Sequence, residues 1–364
     1  MKILVGICIC LMIGTLSFGQ KANWQNLDMA KDSVLGISTE KIYSKLTSKK
    51  ATWVIVGVLD DGVDITHEDI RASLWQNPKE KKNLKDDDKN GYIDDLNGWN
   101  FIGSNRGNVQ LDNLELTRQV RNGTKYFGGK DTATLSGNDR TLYNDWLKQK
   151  DDLRIKIGNS KTIIRNFKSF NSGLKAIVRT IASENPSLSD FENYKPKNPF
   201  DAGTVSYVIS ILKEGKNFTD FKEKLAKDAL NFQNDIDYRL NVNYDPRSIV
   251  GDDYNNLNDK HYGNSDVTGA DADHGTHVAG IIAADRNNGL GIKGIADHVK
   301  IMSVRTVPDG DERDKDVANA IRYAVDNGAK VINMSFGKAI SPDKAVIDEA
   351  VKYAISKDVL LVHA

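Results

Sequence analysis

Trp53-Val54-Ile55-Val56-Gly57-Val58-Leu59-Asp60 is an apolar run closed by a carboxylate. A strand with one wet face alternates apolar and polar residues. A run apolar at nearly every position reads instead as a strand covered on both faces, the kind found in parallel sheets. Asp60 stands at its C-terminal end, followed by Asp61-Gly62, a tight turn. In open parallel sheets the carboxyl ends of the strands are where functional side chains gather.

Residues 273–364 repeat this grammar. His274 to Ala284 carries Val278, Ile281 and Ile282 at helical spacing, and Val299 to Val307 reads as a strand with Ile301 and Val304. Asp314 to Asn327 is a predicted helix with Val317, Ile321, Ala324 and Val325 on one stripe, closed by Gly328. Lys330 to Met334 is a second buried strand. Ser341-Pro342-Asp343 opens a helix that puts Val346, Ile347, Ala350, Val351, Ala354 and Ile355 on one face, and Val359 to Val362 is a further strand. Strand–helix alternation of this kind predicts an α/β fold, a doubly wound parallel sheet with helices on both faces.

Between about Gly103 and Leu240 the pattern changes. Ile163, Phe167, Phe170, Leu174, Ile177, Val178 and Ile181 form one helical stripe, and Phe221, Leu225, Phe232, Ile236 and Leu240 another. Asn185-Pro186, Lys195-Pro196 and Asn198-Pro199 punctuate them. The expected organisation is a signal peptide over 1–19, a first α/β part over 20–103, a mainly helical insertion over 104–240 and a second α/β part over 241–364.

The signal reading rests on Lys2, the apolar or small stretch Ile3 to Leu16, and Ser17-Phe18-Gly19 before a cut ahead of Gln20. The run is shorter than the roughly 20 apolar residues of a membrane span. A secreted or periplasmic protein without a membrane span is therefore expected. Cys8 and Cys10 are the only cysteines, so the mature chain has no disulfide, thiol nucleophile or cysteine metal site. Lys+Arg and Asp+Glu both count 50. A balanced charge gives no electrostatic ground for nucleic acid as a partner.

Taken singly, Asp60 before a turn and His274 at a helix start have ordinary structural readings as turn former and cap. Together with their surroundings they resemble something more specific. Val-Gly-Val-Leu-Asp60-Asp61-Gly62-Val63-Asp64 with His67-Glu68-Asp69-Ile70 resembles the Asp motif of the subtilases, the subtilisin-like serine peptidases. His274-Gly275-Thr276-His277-Val278-Ala279-Gly280 resembles their His motif, and Val331-Ile332-Asn333-Met334-Ser335-Phe336-Gly337 their cleft strand. The resemblance covers about 50–103 and 240–364.

It implies a serine endopeptidase with an Asp-His-Ser triad acting on protein or peptide substrates. Asp60 would orient and stabilise His274, which would move a serine proton to the leaving amine. Ser335, Phe336 and Gly337 would line the site of an extended substrate, bound by strand addition. His277 is expected to pack or hydrogen-bond locally. The resemblance further calls for an oxyanion-hole Asn and a Gly-Thr-Ser-x-Ala-x-Pro segment, and neither occurs before Val362-His363-Ala364. The expectation is a truncated form of a longer enzyme, nearly inactive alone. The alternatives are an inactive peptide-binding pseudo-peptidase and a surface module whose helical insertion binds a partner. Substrate preference and oligomeric state are not legible.

Asp86-Asp87-Asp88-Lys89-Asn90-Gly91-Tyr92-Ile93-Asp94-Asp95 places oxygen groups at alternate positions with Gly at the sixth. That is the first half of a calcium loop, with Asp86, Asp88 and Asn90 as side-chain ligands and Tyr92 lending its carbonyl. Asn97 stands where the twelfth-position Glu belongs, so Asp94 or Asp95 would substitute, and a solvated acidic turn is the alternative. Structural calcium is the expected cofactor. His274 and His277 are three apart with Gly and Thr between, unlike the i, i+4 pair with Glu of zinc peptidases.

Overall fold

The computed structural model describes residues 21–46 and 50–364, so the signal-peptide expectation lies outside the described residues. The strands are β1 (Val54–Asp60), β2 (Gly98–Asn100), β3 (Gly103–Ser104), β4 (Gly107–Asn108), β5 (Val299–Arg305), β6 (Val331–Met334) and β7 (Leu360–His363). Five of them form one sheet in the order β2-β5-β1-β6-β7, parallel throughout, while β3 and β4 make a small hairpin.

The central run is β1, and its two-residue period divides the core. Val56 and Val58 face one side with Val299, Ile301, Ala279 and Ala283. Leu59 faces the other with Met302, Val304, Ile321 and Ile332. Both faces are covered, which is why the strand carries no alternation. Helix α9 (Asp273–Ala283) lies on the first face. Helices α10 (Asp314–Asp326) and α11 (Lys344–Ser356) lie on the second. Gly57 admits α10 closely, since a Cβ there would stand 3.2 Å from the Ala324 Cβ.

Two boundaries in the 273–364 stretch differ from the sequence reading by more than one residue. The amides of Thr306 and Val307 turn to the Asp60 carbonyl (3.0 and 3.1 Å), so β5 ends at Arg305. Ser341-Pro342-Asp343 forms the turn before α11 rather than its first turn.

The shorter N-terminal helices are α1 (Met29–Asp32) and α2 (Thr39–Leu46). The middle of the chain is helical: α3 (Glu115–Phe127), α4 (Gly137–Ile181, 45 residues), α5 (Leu188–Asn193), α6 (Pro199–Lys213) and α7 (Phe218–Asn234), then a π-helical turn at Asp235–Arg239. The polar punctuation caps them. Ser187 and Asp190 form a capping box on α5, Asn198 accepts the Asp201 N–H ahead of Pro199, and Asn217 accepts that of Asp220. Leu174, Ile177, Phe191, Val205, Val208, Phe218 and Phe221 close a core of their own. Helix α8 (Arg247–Val250) leads back toward the sheet.

Candidate active site

Asp60 ends β1, Gly62 follows two residues on, and His274 is the second residue of α9. The helix approaches the strand end where side chains are missing. A Cβ on Gly275 would stand 2.0 Å from the Gly62 carbonyl oxygen and 3.1 Å from the Asp60 Cβ. Gly62 itself has φ +135°, where a Cβ would strike the Thr268 carbonyl at 2.1 Å. These two glycines bring the first turn of α9 onto the carboxyl end of β1.

That approach sets His274 Nδ1 2.7 Å from Asp60 Oδ1. The Asp60 side chain is 4% exposed and the imidazole 53% exposed, so the ring is anchored on its buried edge and open on the other. A carboxylate acceptor at Nδ1 puts the neutral ring's N–H there and leaves Nε2 free to accept a proton. The bond to Asp60 raises the imidazole pKa, partial burial opposes this, and the Asp60 and Asp61 charges add to the rise. The pair can draw a proton from a nucleophile's hydroxyl and hold the imidazolium that results.

Asp61 was legible only as a turn residue. Its carboxylate accepts the Gly275 N–H at 2.9 Å, at the positive end of α9, and burial pushes its pKa up to about 6. Arg305, fully buried, donates from Nε to the Asp61 carbonyl at 2.7 Å and holds the turn in place. An acid beside an acid at a strand end was the available signal.

Ser335, Phe336 and Gly337 follow β6, whose Met334 pairs with Leu59, so they lie beside Asp60 at the same sheet edge. Asn333 donates to Ser335 Oγ at 2.9 Å, and Phe336 meets His363 edge-on at 6.4 Å. Phe336 and Gly337 line a cavity of about 410 Å³ with Val317, Ile347 and Leu361. His277 is exposed and lines a different cavity with Asp64, His67 and Asp69.

The acidic loop is rearranged relative to expectation. Carboxylate oxygens of Glu80, Asp86 and Asp88 lie within 4.8 Å of one another. Asp94 is not among them: its carboxylate accepts the backbone N–H groups of Asn83 (3.0 Å) and Leu84 (3.0 Å) instead. Asn90 Oδ1 accepts the Tyr92 N–H at 2.8 Å. Asp95 is buried, bonded to Asn77, Asn90 and Tyr323, with burial pushing its pKa up to about 6. The sequence offered no reason to prefer Glu80, which precedes the loop.

The molecule is thus a parallel α/β sheet with a carboxylate-held histidine at its carboxyl edge. Residues 52–364 match the model of the subtilase family, and the chain belongs to that family. It is similar to a thermophilic serine proteinase of Bacillus sp. strain AK1, 45% identical over 92 residues, 25% of this chain and 22% of that protein. Thermitase of Thermoactinomyces vulgaris is 44% identical over 92 residues, 25% of this chain and 32% of thermitase. The cell wall-associated protease of Bacillus subtilis strain 168 is 27% identical over 272 residues, 67% of this chain and 30% of that protein. The chain spans less than a third of the length of each of these relatives.

Proposed function

We propose that this chain supplies the proton relay and part of the substrate cleft of a secreted serine endopeptidase. The observation that carries the reading is the 2.7 Å contact between His274 Nδ1 and Asp60 Oδ1 at the end of the central strand. Asp60 orients the ring, Nε2 of His274 takes the proton of a serine hydroxyl, and the same proton goes to the leaving amine. No Gly-Thr-Ser-x-Ala-x-Pro segment occurs among these 364 residues. An extended peptide adds as a strand along Ser335, Phe336 and Gly337. The helical stretch 104–240 is, on this reading, an insertion into the catalytic domain.

The test is fluorophosphonate labelling and peptide hydrolysis by the product of the complete reading frame. Both are expected, and His274→Ala should reduce hydrolysis by a factor of about 10⁴ or more, the scale seen when a triad member is removed (roughly 10⁴ to 10⁶). Saturable peptide binding with neither labelling nor turnover would establish a pseudo-peptidase instead. Export predicts that the mature chain begins at Gln20, read by N-terminal sequencing.

Three mutually close carboxylates suit a hard, oxygen-seeking cation, so the loop is also read as a structural calcium site. Asp86, Asp88 and Glu80 would hold the ion, with Asn90 beside them, its backbone N–H donating to both Asp86 and Asp88. Among the described residues no helix is long and apolar enough to cross a membrane. Calcium at 100 times its Kd should stabilise the fold by about 2.7 kcal/mol, and Glu80→Gln should abolish the calcium-dependent rise in Tm.

A further inference from the structure

The cleft segment is followed by Lys338, whose side chain is only 4% exposed. A buried ammonium needs acceptors on every side, and Lys338 Nζ has three. Asp314 stands at 2.7 Å, the Glu312 carbonyl at 2.9 Å and Glu115 Oε2 at 3.3 Å. Asp314 begins α10, but Glu115 comes from outside the α/β body, on the first turn of α3.

Glu115 is itself fixed from both sides. Arg118 pairs with it at 2.6 Å and donates to the carbonyls of Asp311 and Glu312, while Gln119 donates to its other oxygen at 2.8 Å. The Glu115 N–H donates to Asp311 at 2.7 Å. Asp112 bonds to Arg313 at 2.8 Å and lies 3.6 Å from Arg118. Three cations (Arg118, Arg313, Lys338) thus face three anions (Asp112, Glu115, Asp314), all nearly buried, and each charge is balanced only while the others stay in place.

We propose that Glu115 is a positioning residue for the substrate cleft, acting through Lys338 to hold the segment Ser335–Lys338 at the sheet edge. The helical stretch thereby governs the cleft wall without touching a substrate. This inference rests on the reading of Ser335–Gly337 as a peptide-binding strand, but its first test does not.

Backbone amide NMR relaxation of the 364-residue chain is the measurement. In Glu115→Gln, order parameters at 335–338 should fall below about 0.6, with those of β1 and α9 unchanged. Glu115→Asp, which keeps the charge, should restore most of the order. Should Glu115→Gln fail to fold, Glu115→Gln with Lys338→Met, which removes one charge of each sign, serves the same test. Unchanged order parameters at 335–338, or an equal fall throughout the chain, overturns the proposal. The second test is hydrolysis of an extended peptide by the complete gene product, where KM should rise severalfold in Glu115→Gln and kcat stay within twofold. A fall in kcat at constant KM overturns it. Absence of hydrolysis by the unaltered protein counts against the peptidase reading alone, and the relaxation result then decides the positioning role.

Discussion

The contact between His274 and Asp60 depends on two positions that lack a side chain. Gly275→Ala puts a methyl 2.0 Å from the Gly62 carbonyl, and backbone against backbone cannot yield without moving α9. Expected is loss of the 2.7 Å bond and a fall in the imidazole pKa, followed by proton NMR titration. An unshifted titration would show that the helix tolerates the methyl. Asp60→Asn tests the electrostatics. Because the folded pKa of His274 is raised, the pair stabilises the fold fully below the ordinary imidazole pKa of about 6.5 and loses that contribution as pH climbs through the raised value. The substitution should therefore cost more stability at pH 5 than at pH 9 in urea melts, and a pH-independent cost would sink the account. Asp61 has the opposite sign. With its carboxyl raised to about 6, the folded state keeps a proton that the unfolded state releases near 4, so its ionisation lowers stability as pH rises through that window.

Strand β1 and helix α10 show how differently two neighbouring elements were written in the sequence. For β1 the apolar run is sufficient, because a strand covered on both faces needs nothing else. For α10 the stripe of Val317, Ile321 and Ala324 announced one buried face and said nothing of the other. The structure buries that other face too. Lys315 pairs with Asp252 at 2.6 Å and Asp316 with Arg247 at 2.6 Å, partners that lie more than sixty positions away. No local period encodes a charge whose partner is so distant. Ile321 is fully buried between the sheet and its neighbours, so Ile321→Ala should cost about 2–5 kcal/mol by denaturant unfolding. Ile163, 44% exposed on α4, should cost within about 0.5 kcal/mol on the same change beyond propensity. Comparable costs at the two sites would mean that burial does not rank these positions.

Among the described residues the apolar side chains fall into four clusters: two on the faces of the sheet, one joining α3 and α4 around Leu116, Val120, Leu153 and Leu240, and one deeper within the helical stretch. Phe191 is fully buried in the last of these. Phe191→Ala should weaken that cluster by about 3–5 kcal/mol while leaving the His274 titration unchanged, as circular dichroism melts and NMR would show. A shifted His274 would tie the helical core directly to the relay. The sequence by itself determined that Asp60 ends a doubly covered strand and that His274 starts a helix, because strand and helix periods are local and both residues sit at their ends. It also marked the helical stretch through stripes and caps. Only the tertiary structure decided that Asp61 braces α9, that Glu80 joins Asp86 and Asp88 where Asp94 does not, and that Glu115 reaches Lys338. The Asp61 and Glu115 contacts join groups more than two hundred positions apart, and the Glu80 contact depends on how its loop folds back, so all three are fixed by packing and charge balance rather than by any pattern along the chain.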